Sequence, residues 1–211
     1  MGLRDVGHGD LLVKMTTWRG TTPGSLTFHG RLSVTSVDAE WFTAHKHDTA
    51  LMMMPPDDVI TDRQEGDNVM CTAGLTVLAA ALVWSGVQDQ ATNIGASSSY
   101  LTPLWGAVGS GSGTVAASDT ALFSELGRQT VGAGASVPAT GSLASQLTWL
   151  FYFPQPASAW TVTEAGVFAN GSSSDVTITT AGVLLDHWSF SPTVTVPTTD
   201  TLILQSSFSI S

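Results

Sequence analysis

The chain has 211 residues and a net charge of −10, with 17 acidic against 7 basic side chains. Charged residues make up only 11% and hydrophobic ones 43%, against about 25% charged in an ordinary soluble domain, so the chain can bury one large core or two small ones. No cluster of Lys and Arg is available to displace counterions, which argues against nucleic acid, and the single cysteine excludes an intrachain disulfide framework or a thiolate zinc site.

Residues 1–20 read as an irregular or short helical lead. They hold no apolar run of secretory-signal length, and Val6 stands where a myristoylated Gly2 would need Ser or Thr. In "SLTFHGRLSV" the even positions Leu26, Phe28, Leu32 and Val34 are apolar, the pattern of a half-buried strand or hairpin arm. A second apolar stretch over 40–58 stops at Pro55-Pro56, and residues 55–68 read as a connection. His45 and His47 on a strand would point to one side, as a metal pair does. With His29 and Asp48 they read instead as surface or hydrogen-bonded residues, and no metal site is assigned.

Residues 72–84, "TAGLTVLAAALVW", predict a helix capped by Asn68 or Thr72, with Leu75, Leu78 and Leu82 on one face. It is too short to cross a bilayer, which takes about 20 apolar residues, and reads as a helix packed on a sheet. Cys71, just before it, reads as a small buried hydrophobe.

The stretch "GAVGSGSGTVAASDTALFSELGRQ" (106–129) carries Gly109, Gly111 and Gly113 in alternation. A phosphate-cradling loop would need a Lys after its last glycine, or a Gly-x-Gly-x-x-Gly between a strand and a helix; neither is present. The stretch reads as a Gly/Ser turn, then Ser118 or Asp119 capping a short helix "TALFSEL", with Glu125 and Arg128 reaching back to the loop backbone.

Beyond residue 100 the pattern is one of strands. "YLTPLWGAVG" reads as one; "SQLTWLFYF" (145–153) is apolar throughout, as in a strand buried on both faces; "SAWTVTEAGVFANG" ends at the turn signal Asn170-Gly171. "VTITTAGVLLDHWSF", "PTVTVP" and "TLILQSSFSIS" follow, the last with Leu202, Leu204, Phe208 and Ile210 on one face. Short strands separated by Gly, Pro and Asp predict a mainly β chain: an antiparallel β-sandwich with one packed apolar helix and a short second helix, preceded by a small N-terminal β or irregular region. The expected division is an N-terminal docking or oligomerisation region, 1–69, and a helix-plus-sandwich module, 70–211.

No catalytic constellation stands out. No motif selects a carboxylate pair from Glu40, Glu65, Glu125 and Glu164, and "GSGSG" is no nucleophile elbow between strand and helix. His187 beside Asp186 reads as a strand-surface pair. Trp105, Trp149, Trp160 and Trp188 read as core or interface, with sugar stacking as the alternative use. No catalytic, cofactor-binding or metal-binding residue is assigned.

Taken in order, "TAGLTVLAAAL", "WGAVGSGSGTVAASDTALFSELGRQTV", "WTVTEAGVF" and "GVLLDHWSFSPTVTVPTTDTLILQSSFSIS" resemble a recurring module of tailed-bacteriophage structural proteins. These are minor tail or tail-fibre-like proteins, and the likeness is greatest to phages infecting actinobacteria. It covers roughly residues 70–211. The resemblance implies a virion part rather than an enzyme, assembled in the host cytoplasm and released by lysis. Its partners would be other virion proteins and sister copies, a homotrimer first, with a host-surface glycan as a further contact and no membrane insertion. Strand faces buried between copies would account for the mean hydropathy of +0.20. In this reading Glu164 satisfies nearby amides, Gly166 admits a neighbouring backbone and Asp200 turns the chain into its last strand. With Gly109, Gly111, Gly113, Asp119, Glu125, Arg128 and Trp160 they form the expected fold or assembly determinants. A capsid decoration or head-fibre protein, and a carbohydrate-binding or glycan-hydrolysing protein, are the alternatives.

Overall fold

The computed structural model describes residues 5–6, 10–15, 24–74, 104–138, 145–169 and 182–210. Among these residues eleven strands run in chain order: β1 (Asp5–Val6), β2 (Asp10–Met15), β3 (Gly24–Asp38), β4 (Ile60–Asp67), β5 (Val69–Met70), β6 (Leu104–Gly109), β7 (Glu125–Pro138), β8 (Ser145–Phe153), β9 (Trp160–Ala169), β10 (Val183–Val196) and β11 (Asp200–Ile210). Between β3 and β4 lie two short helices, α1 (Ala39–His45) and α2 (Thr49–Met53). Each begins on an aspartate whose carboxylate takes up amides the first turn leaves unpaired: Asp38 accepts from Trp41, and Asp48 from Ala50 and Leu51.

Every strand pairing is antiparallel. One layer runs β2–β3–β11–β8–β7, with β4 beside β2 on the same edge of β3; the other runs β7–β6–β9–β10–β5. Strand β7 serves both layers. Its first half pairs with β6 through Thr130, its second half pairs with β8 from Val131, and Gly132 is bulged out just past that changeover. A bulge bends a strand sharply enough to carry it from one layer into the next. The ring is nearly closed between β4 and β10, where side chains stand in for a ladder among the described residues. There Asp62 Oδ2 accepts the Thr195 N–H at 2.8 Å, and the Trp188 indole lies against Gly66.

Because strand side chains alternate between faces, every second residue enters the space between the layers. Leu32 and Val34 of β3, Phe151 and Phe153 of β8, and Leu202 and Leu204 of β11 meet Val162, Ala165 and Val167 of β9 and Val194 and Val196 of β10. On the opposite face of the first layer, Val37, Leu150 and Ile203 are covered by Met52 of α2, with Trp41, Phe42 and Tyr152 packed around them. This second cluster explains why the run in β8 is apolar at consecutive positions: both its faces are buried.

Several sequence expectations need correction. Residues 60–67 form strand β4, not a connection; its outward Arg63, Glu65 and Asp67 are charged, which hides its alternation, but its backbone pairs along β3 from Val37 to Arg31. His45 closes helix α1 rather than lying on a strand, and its Nδ1 stands 2.8 Å from the Trp41 carbonyl oxygen, in keeping with its reading as a hydrogen-bonded residue. The expected helix "TALFSEL" is absent: residues 120–124 are irregular, and Glu125 opens β7. Of the helix expected over 72–84, residues 72–74 form a helical turn and the rest lie outside the described residues. Strand β3 pairs with β11 from Phe28 to Asp38, so one sheet holds residues from both sides of position 69.

Phe151 is fully buried between the layers. Phe151→Ala should cost about 3–5 kcal/mol, read as a shift of the denaturant midpoint at unchanged slope. A cost under about 1 kcal/mol would mean the two layers do not share this core.

Candidate functional site

The loop between β6 and β7, residues 110–124, folds back over the outer face of the second layer. Its ends meet where the Ser110 N–H donates to the Ser124 carbonyl at 2.8 Å, so it is a closed loop of the Ω kind. Leu122 packs beneath it with Trp105, Ala107, Phe168, Leu184 and Cys71. That contact alone would leave the loop's amides unpaired above an apolar face.

Glu164 of β9 supplies the missing acceptors. Its Oε1 accepts the N–H groups of Gly111 at 2.9 Å and Ser124 at 2.7 Å, and its Oε2 accepts that of Phe123 at 2.8 Å. The fourth position on this fully buried carboxylate is taken by His187 Nε2 at 3.0 Å. The other imidazole nitrogen, Nδ1, lies 2.8 Å from Asp119 Oδ2, which also accepts the Ala116 N–H. Thr163 and Ser189 donate their hydroxyls to the carbonyls of Gly111 and Gly113. The Ala117 carbonyl accepts the Thr72 N–H, tying the loop to the turn at 72–74.

The alternating glycines are explained by this geometry. A Cβ on Gly109 or Gly111 would fall on the Glu164 carboxylate, and one on Gly113 would stand 2.7 Å from the Phe123 ring. Only a backbone without side chains lets the carboxylate reach the amides. Gly166 serves a similar need, since its Cβ would lie 2.7 Å from the Asp186 carbonyl oxygen of β10.

His187 is fully buried, which corrects its reading as part of a strand-surface pair. The cause is a bulge at Leu185, where the β9–β10 register slips between Leu184 and Asp186. The slip puts Leu184 and His187 under the loop, while Leu185 turns into the space between the layers. Asp186 does not pair with His187; its Oδ1 accepts the Val167 N–H at 2.9 Å. A second bulge, at Leu126, brings Glu125 and Arg128 to one face, although residues three apart on a regular strand face opposite ways. They form a buried bidentate pair at 2.9 and 2.7 Å, with the guanidinium 3.8 Å above the Phe168 ring.

Of the other expected determinants, Trp160 is half-buried against Phe153 and Gly127. Asp200 is buried and collects the hydroxyls of Ser36, Thr61 and Thr199, joining β3, β4 and β11. The structure thus gathers Gly109, Gly111, Gly113, Asp119 and Glu164 into one centre and leaves Glu125–Arg128, Trp160 and Asp200 as separate supports. His187 is the member sequence reasoning missed. The available signal was "LLDHWSF", an acid–imidazole pair inside an apolar strand, which burial would force to find partners.

The charges follow from the contacts. Burial works against a charged His187, but its hydrogen bonds to Glu164 and Asp119 outweigh it and raise the imidazole pKa. Both ring nitrogens face carboxylate oxygens, so both must donate, as in the imidazolium form. For Glu164, burial alone would raise the pKa; the His187 bond and the three amides hold it below the ordinary value. Asp186 is pushed from 3.8 up to about 7 by burial, with the Val167 amide, His187, Asn68 and Ser206 pulling the other way. Asn68 and Ser206 flank its second oxygen without closing a hydrogen bond of ordinary geometry. Burial, then Asp186 and Asp119, push the Cys71 thiol up to about 12, so it stays protonated and unreactive.

Every acceptor position of Glu164 and both nitrogens of His187 are engaged within the chain, an arrangement that fixes the loop. Among the described residues no group of three or more His, Cys, Asp or Glu side chains could hold a metal ion, and no helix is long and apolar enough to cross a membrane. Comparisons with family models, curated proteins and solved structures give no match.

Glu164→Ala should cost about 3–5 kcal/mol, because it leaves a buried imidazolium and three amides without their acceptor. Limited proteolysis should then cut within 110–124, and an uncut loop at wild-type stability would contradict the assignment. Stability should also depend on pH in a defined way. The His187 contribution is complete below the ordinary imidazole value and is lost as pH rises through the raised one. That of Glu164 is complete above the ordinary carboxylate value and is lost as pH falls through the lowered one. Asp186 adds a cost that grows as pH rises from 3.8 to about 7. Stability should therefore peak on the acid side of neutrality, and Asp186→Asn should flatten the decline toward neutral pH in denaturation series.

Proposed function

We propose that this chain is a structural component of a bacteriophage virion, a minor tail or tail-fibre-like protein that acts by assembly. The observation that carries the reading is the use made of the motif series resembling that module. Its glycines, Asp119 and Glu164 converge on an interior centre whose hydrogen bonds are spent on holding a loop. The acidic composition fits a protein working through shape and burial. Phe123 on the loop, 43% exposed, offers an apolar contact for a sister subunit or another virion protein. Sugar stacking has less support. Trp105 and Trp188 are buried, and Trp160 is half-covered by Phe153.

As a homotrimer, the purified protein should scatter light as about three times 22.0 kDa. A monomer would count against a self-sufficient fibre module. On intact particles, an antibody against the chain should label the tail by electron microscopy. Label over the head would replace the reading with a capsid decoration or head fibre, and no label on any particle would end the virion proposal.

A further inference from the structure

Helices α1 and α2 cover only one end of the outer face of the first layer, above Val37, Leu150 and Ile203. Where that cover stops, the same face turns polar. Ser33 of β3 stands opposite Glu65 of β4 on one side and Gln205 of β11 on the other; Arg31 pairs with Ser207, and Arg63 with Thr35. Strand parity places these side chains together, and six of them, Arg31, Ser33, Arg63, Glu65, Gln205 and Ser207, line a groove of about 140 Å³.

The groove has a built floor and a charged rim. Ser33 and Ser207 are only 8% and 7% exposed, and each hydroxyl is steadied by a neighbour, Thr35 at 3.4 Å and Thr148 at 3.1 Å. Above them Glu65 holds two guanidiniums together, Arg31 Nη2 at 2.9 Å on one oxygen and Arg63 Nη2 at 3.1 Å on the other. A guanidinium carries five N–H donors in a planar fork, so both retain donors that Glu65 does not use. Asp67, opposite Arg31 on β4 but outside the groove, offsets the remaining positive charge. Selection therefore rests on the fork and the hydroxyl floor, not on a broad positive field, and a polyanion is disfavoured. The volume is well below the roughly 300–1,000 Å³ of sites for larger ligands, and suits a single ring.

We propose that this groove binds one carboxylated sugar residue. The carboxylate lies across the Arg31 and Arg63 guanidiniums, and the ring hydroxyls meet Ser33, Ser207 and the Gln205 amide. This inference does not depend on the virion reading. Titrating the purified full chain with glucuronate, glucose and inorganic phosphate, followed by NMR or calorimetry, tests it. Glucuronate should bind saturably and about tenfold or more tightly than either glucose or phosphate. Arg31→Gln with Arg63→Gln should abolish that preference at an unchanged unfolding midpoint, because both side chains lie at the surface. Gln205→Ala, which leaves both arginines in place, should weaken glucuronate binding but not phosphate binding. Equal affinity for phosphate and glucuronate, equal affinity for glucose and glucuronate, no saturable binding, or binding indifferent to the arginine changes would each overturn the proposal.

Discussion

A carboxylate removed from water must recover several hydrogen bonds, or it will take up a proton or force the chain to open. Glu164 recovers four, three from backbone amides and one from an imidazole. Those amides belong to both ends of the loop 110–124, so the charge and the loop depend on each other: neither can be buried alone. His187 extends the arrangement by one step, since its far nitrogen draws Asp119 and with it the middle of the same loop. The face that the loop covers includes Trp105, Phe168 and Leu184, which would otherwise meet solvent.

Three bulges make this centre possible. Strict alternation would send Leu184 and His187 to opposite faces, would separate Glu125 from Arg128, and would keep β7 in one layer. The slips at Leu185, Leu126 and Gly132 change the phase at those three points. The slip at Leu185 also leaves Asp186 buried, with its ionisation held up to about 7. Buried ionisable groups here are thus a consequence of how the sheet turns corners. Their energetic cost is offset by the loop that they fix in place.

Much of the sheet was legible because its strands bury one face in alternation or, like β8, both faces in a continuous run. Residues such as Leu202 and Leu204, or Phe151 and Phe153, announce their role by spacing alone. Strand β4 was not legible, because Arg63, Glu65 and Asp67 face outward and what holds them extended is the edge of β3, far away in sequence. The stretch 120–126 has local helix-forming character, yet Glu164 claims the Phe123 and Ser124 amides from another strand, and tertiary contact overrides propensity. The burial of His187 hinges on a one-residue slip, which leaves no trace in a periodic pattern.

The glycine-rich stretch thus holds a protein carboxylate where a nucleotide enzyme would hold a phosphate, with backbone amides doing the same work in both settings. The central claim is that His187 is a doubly protonated imidazolium clasped between Glu164 and Asp119. Nitrogen-resolved NMR of the imidazole at neutral pH tests it most directly. The account predicts two ring N–H protons on His187, both protected from exchange with water. A single ring proton, as in a neutral tautomer, or rapid exchange at both nitrogens, would contradict it.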